Sequence, residues 1–143
     1  MSARLLALLA LLALLTGLLA GCGDDDAAPD PIRQGRAIYG DLCSLCHGDG
    51  GQGGVGPSLG EVVETWPDCA DHIEWIALGS DRWKETHGDT YGATGKPVAG
   101  GMPAHDQTLT ADERALVAAF ERVTYGSAHR QSTLTECGVD PGG

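Results

Sequence analysis

Ten of the chain's leucines precede Gly21, and only seven follow it, at positions 42, 45, 59, 78, 109, 116 and 134. With one Phe, three Tyr and three Trp, residues 22–143 hold few large apolar side chains from which to build a core. A domain of this size buries only about two-thirds of its unfolded surface. So thin an inventory calls for cross-links, or for a bound group that fills the middle. The length of 143 residues leaves room for one domain. Nine Lys+Arg against 20 Asp+Glu give a formal net charge of −11. That charge argues against nucleic acid, which demands a concentrated basic surface, and against docking on anionic lipid by charge alone.

The leucines at the start have their own meaning. Leu5 to Leu15 contains only Leu and Ala behind Arg4, the pattern of an export signal with a positive n-region and an apolar h-region. Leu5 to Ala20 is 16 residues, short of the roughly 20 that span a bilayer as a helix. Leu19-Ala20-Gly21-Cys22 resembles the bacterial lipobox, in which Cys22 becomes the lipid-modified first residue after cleavage. Residues 1–21 are therefore expected to be a lipoprotein-type signal. Residues 22–30, with Asp24, Asp25, Asp26 and Asp30, form a flexible acidic tether. The expected location is the periplasmic or cell-envelope side, held to the membrane by acyl chains.

Cys43-Ser44-Leu45-Cys46-His47 is Cys-x-x-Cys-His, the attachment pattern of c-type haem. Two thiols a helical turn apart can add to the two vinyl groups on one edge of a porphyrin. The next residue, His47, then lies under the iron as a ligand. A zinc site would want a second Cys or His pair at similar spacing, and none stands nearby. A thioredoxin-like redox pair would want a βαβ context. A plain disulfide would not call for His47. One covalent haem c is the reading that uses all three residues.

Once Met1 leaves with the signal, Met102 is the only methionine. It stands in a Gly-Gly-Met-Pro turn, suited to holding a side chain rigidly as the second iron ligand; a gap-filling core Met is the alternative. The other histidines, 72, 87, 105 and 129, are rivals for that position. His72 on a helix and His129 near the C-terminus are expected to be solvated. His105 leaves open a polar contact with the haem edge.

Three segments, in this order, carry a family resemblance: Gln34-Gly35-Arg36-Ala37-Ile38-Tyr39 leading into the haem motif, Gly56-Pro57-Ser58-Leu59, and Gly101-Met102-Pro103-Ala104. From about Ile32 to Tyr125 the chain resembles a class I monohaem bacterial cytochrome c. The resemblance implies an all-α fold, with three main helices wrapped around one covalent haem and joined by long Gly-rich loops, over residues 31–126. It implies that the first and last helices cross closely at Gly35, with Tyr39 meeting Leu116 and Phe120. It further implies that the Pro57 carbonyl accepts the His47 ring N–H and that Leu59 packs on the haem.

Local signals place the helices. Asp30-Pro31 reads as an N-cap and first helical residue, followed by Gly35, Ile38, Tyr39 and Leu42 on one face. Asp68 is expected to cap a second helix, with Cys69, Ile73 and Ile76 on one side and Gly79 as its stop. Thr110 and Glu113 form a capping box, followed by an apolar stripe of Leu116, Ala119, Phe120 and Val123. Asp112, Glu113, Arg114, Glu121 and Arg122 are assigned to the wet side. Seven glycines between Gly48 and Gly60 let backbone approach a flat ring. Gly51, Gly53 and Gly56 match a dinucleotide fingerprint, but no strand precedes them and Pro57 follows at once. Ser80 to Gly100 reads as a loop in which Trp83, Tyr91 and Lys96 are candidates for contact with a haem propionate.

Cys69 and Cys137 remain after lipid and haem are assigned. In an oxidising compartment a disulfide uses both, pinning an otherwise unstructured tail, 127–143; two buried free thiols are the alternative. The expected function is one-electron transfer with redox protein partners bearing basic docking surfaces, no small-molecule substrate and no enzymatic activity of its own. Two alternatives stay open: the haem c subunit of a larger dehydrogenase or terminal reductase, and a non-redox structural lipoprotein.

Overall fold

The computed structural model describes residues 29–141. The signal, Cys22 and most of the tether lie outside the described residues. Helix α1 is Pro31–Leu42, started by Asp30, whose carboxylate accepts the Arg33 N–H at 2.9 Å, with Pro31 in the first turn. A short helix α2, Ser44–His47, follows Cys43 directly. Helix α3 is Val62–Thr65 and α4 is Cys69–His87, capped by Asp68 through the Ala70 N–H at 2.8 Å. Strands β1, Thr90–Tyr91, and β2, Lys96–Pro97, pair antiparallel with Thr90 opposite Pro97 and Tyr91 opposite Lys96. Helix α5 is Ala111–Thr124, opened by the Thr110/Glu113 capping box, and α6 is Arg130–Glu136. Among the described residues no helix is long and apolar enough to cross a membrane.

The α1–α5 crossing organises the core. Gly35 is what lets the helices approach, since a Cβ there would stand 2.2 Å from the Leu116 carbonyl oxygen. Beside it Tyr39 packs on Phe120 and Tyr125, with ring centroids 5.5 and 5.2 Å apart. Ile76, Leu109, Val117, Ala118, Ala119 and Leu134 complete this cluster. A second cluster forms around Val62, Trp66 and Trp83, with Trp75, Leu78, Tyr91 and Val98 packed against it.

Four sequence expectations change here. Gly79 does interrupt the helix, with φ 62° and ψ −178°, but the chain re-enters helix and runs to His87. Ser80 makes this possible: its N–H and hydroxyl bond to the Met102 and Gly100 carbonyls at 3.0 and 2.8 Å. The region after Gly79 is therefore a helical segment and a small hairpin rather than a loop. Glu121 and Arg122, assigned to the wet side, are 4% and 2% exposed. Other elements cover them, because Arg122 donates to the Trp66 and Pro67 carbonyls and Glu121 meets His72 of α4. His72, expected to be solvated, is 2% exposed for the same reason. The tail is not unstructured: α6 buries Thr133 and Leu134, and Arg130 pairs with Asp30 at 2.7 Å. Cys69 and Cys137 are bonded across it, with their Cα atoms 5.2 Å apart.

Candidate cofactor site

Cys43 caps the end of α1, its N–H bonding to the Tyr39 carbonyl at 2.9 Å, and the next turn carries Cys46 and His47. The His47 N–H bonds back to the Cys43 carbonyl at 3.0 Å, so the motif is one tight helical turn. The glycine loop wraps it: Gly53 N–H bonds to the His47 carbonyl at 2.8 Å and Gly56 N–H to the Cys46 carbonyl at 2.9 Å. At Gly56 a Cβ would come within 2.9 Å of the His47 ring, so the absence of a side chain lets loop and imidazole lie together. His47 Nδ1–H donates to the Pro57 carbonyl at 2.8 Å. That bond fixes the ring and leaves Nε2 as the available donor of a lone pair.

The Met102 segment is held from the other direction. Its carbonyl accepts the Ser80 N–H, and the φ of 62° at Gly79 lets Met102 and Pro103 lie against the helix break, where any Cβ would be 2.6 Å from backbone. Cys43, Cys46, His47, Pro57, Leu59 and Met102 all line one cleft, with an empty volume of about 1180 Å³ including its mouth.

The donor set fits a covalently attached, iron-bearing ring. Cys43 and Cys46 are free thiols within one turn of His47. Burial, with Glu121 and Cys46 adding to it, pushes the Cys43 thiol up to about 12. A reactive redox or nucleophilic cysteine is shifted in the opposite direction. Among the described residues no group of three or more His, Cys, Asp and Glu is placed to hold a bare metal ion.

Tyr91 and Lys96 line the cleft as well. The Lys96 ammonium is engaged by Glu61 and the Thr65 hydroxyl, each at 3.0 Å. Trp83 sits one layer behind, its indole N–H on the Thr90 carbonyl at 3.0 Å and its ring stacked on His87. His105 lines the cleft at 7% exposure, with Nδ1 unpartnered among the described residues. Burial holds its pKa below the ordinary histidine value, against an upward pull from Glu121. His87 pairs with Glu74 at the surface, and His129 is exposed.

Trp66, Trp75, His72 and Glu121 also line the cleft; of these the sequence points only to His72, as a rival ligand expected to be solvated. A signal existed for two of them. His72 falls at i+3 between Cys69 and the Ile73/Ile76 pair, on the stripe that was recognised. Glu121 is i+4 from Val117. Charge outweighed spacing in both assignments.

A family model described as cytochrome c oxidase, cbb3-type, subunit III, matches residues 30–120. A curated relative, quinohemoprotein alcohol dehydrogenase ADH IIB of Pseudomonas putida, is 33% identical over 88 residues. The match covers 61% of this chain but only 10% of that protein's length. No solved structure gave a significant match.

Proposed function

The chain belongs to the cytochrome c oxidase cbb3-type subunit III family of c-type cytochrome domains, and from that premise we propose that it is a membrane-tethered, monohaem, one-electron carrier. The observation that supports this most directly is the single cleft shared by Cys43, Cys46, His47 and Met102. Cys43 and Cys46 would hold the haem through thioethers, and His47 and Met102 would ligate its iron. When bound, the haem supplies one-electron exchange at iron, with His/Met ligation favouring a raised potential. The Pro57 carbonyl orients the His47 ring, and Ser80 holds the backbone that presents Met102. With both His47 and Met102 ligating the iron, no position would remain there for a substrate, as suits a carrier.

The tether at Cys22 would hold the domain at the membrane and raise its effective concentration near redox complexes there. The net charge of −11 favours partners with basic docking surfaces, and association that slows as salt rises. Leu45 and Val55 are 90% and 91% exposed, and Val55 lines the cleft, which suits an apolar contact beside the cofactor.

A second reading, the haem c subunit of a larger dehydrogenase or oxidase complex, is favoured by the likeness to a small part of a quinohemoprotein dehydrogenase. In that reading the domain performs the same electron transfer for a fixed partner. Optical spectra of the purified protein in both redox states test the proposal. Covalently retained haem with a low-spin, thioether-ligated iron is expected, and Met102→Ala should abolish the thioether signature while leaving the haem attached. An unchanged spectrum in that variant would refute the ligand assignment.

A further inference from the structure

Electron transfer as proposed leaves one charge in the cleft without a role. Glu121 lines it, is 4% exposed, and its carboxylate accepts the His72 Nε2–H at 3.0 Å. A buried carboxylate is costly unless a cation or several donors compensate it. The setting of His72 offers no second acceptor that would hold it as that cation. The ring is 2% exposed and stacked parallel to Trp66, and its Nδ1 has no partner among the described residues. An imidazolium there would strand a buried N–H, so the neutral Nε2–H tautomer fits.

The remaining neighbours are neutral as well or turned elsewhere. Tyr39 from α1 and Tyr125 after α5 keep their protons more firmly, chiefly through burial, with the field of Glu121 a lesser contribution, and a thioether at Cys43 would carry no charge. His105, from the segment before α5, is driven toward its neutral form by burial. Arg122 points to the Trp66 and Pro67 carbonyls, with Glu136 and Asp68 as its charged neighbours. Lys96 is taken by Glu61. Among the described residues that line the cleft, no Lys or Arg is left to pair with Glu121.

We propose that Glu121, oriented by His72, sets the reduction potential of the bound haem by placing a fixed negative charge beside it. The inference rests on haem occupying the cleft. Oxidised iron in a porphyrin carries one more positive charge than reduced iron, so a buried carboxylate nearby favours the oxidised state and lowers the midpoint potential. Were that charge about 12 Å from the iron, an effective dielectric of about 20 would make the change roughly tenfold. For a one-electron couple that is about 59 mV.

Spectroelectrochemical titration of the haem-loaded protein at neutral pH tests this. Glu121→Gln retains an acceptor for the His72 N–H and removes the charge. Its reduction equilibrium should shift about tenfold toward the reduced form, with haem content and ligand bands unchanged. The double variant His72→Gln/Glu121→Gln pairs two amides in the same space and should shift the same way, which covers a single variant that fails to accumulate. A shift under about twofold in either variant, with haem and ligation intact, overturns the assignment while leaving the carrier reading standing. A wild-type protein that takes up no haem refutes the carrier reading and this inference together.

Discussion

Gly35→Ala introduces a methyl group into the α1–α5 crossing, where its Cβ would lie 2.2 Å from the Leu116 carbonyl oxygen and 2.7 Å from the Phe120 Cβ. Favourable contact between such atoms begins near about 3.5 Å, so the helices must separate by more than about 1 Å. The nearest obstacle is backbone, which cannot swing aside. Separation also loosens Tyr39 from Phe120, and a gap of roughly 0.5–1 Å forfeits a quarter to a half of each contact. Overpacking costs about 1–3 kcal/mol, and a backbone clash belongs at the upper end. Replacing Gly by Ala in a helix returns about 0.8–1.0 kcal/mol, leaving a net loss of about 2 kcal/mol. Gly40 of the same helix is the control, because a Cβ there meets nothing within 4 Å. Gly40→Ala keeps the propensity gain without the clash. Urea unfolding of the haem-loaded protein, followed by far-UV circular dichroism, should move the two midpoints in opposite directions. Equal midpoints for the two variants would refute the claim that the crossing is limited by Gly35.

Two further outcomes follow from the same geometry. The Cys69–Cys137 bond closes a separation of 68 residues, so the double serine variant should lose up to about 4 kcal/mol in the chain-entropy model, read by urea unfolding, while thiol titration of the unfolded wild type finds neither cysteine free. Burial lowers the His105 pKa in the folded state, so its contribution to stability is present above the unfolded value near 6.5 and is lost as pH falls below it; His105→Gln should flatten the decline in urea midpoint between about pH 6.5 and 5, and an identical decline would refute it.

What could be read from the sequence was what local chemistry fixes. Asp30, Asp68 and Thr110 each cap a helix through N–H groups two or three residues away, so their meaning is contained in a short window. The same holds for Cys43, Cys46 and His47, which share one turn. Gly79 was recognised as a stop, but the resumed helix depends on Ser80 reaching the carbonyls of Gly100 and Met102, some twenty residues away. No window around Ser80 contains that information. The tail failed for a similar reason, because α6 is held by Leu134 in the core and by Arg130 on Asp30.

The misassigned polar residues share a cause that bears on function. His72, Glu121 and Arg122 were assigned by charge, yet each is buried because another element supplies its partner. Arg122 is explained by packing alone, since it ties the chain before α4 to α5. The His72–Glu121 pair is different, because it faces the cleft, where Lys96, the one Lys or Arg lining it among the described residues, is taken by Glu61. The two hydrophobic clusters, one around Tyr39 and Phe120 and the other around Trp66 and Trp83, both border that cleft through Ile76 and Trp66. A flat apolar ring with a positively charged centre would complete both clusters, giving the leucine-poor chain the missing part of its core. The same centre would give Glu121 its counter-charge. On that account the cofactor is part of the fold before it is part of the chemistry, and a buried acid that looks misplaced in the bare polypeptide is matched to the oxidised state of what it surrounds.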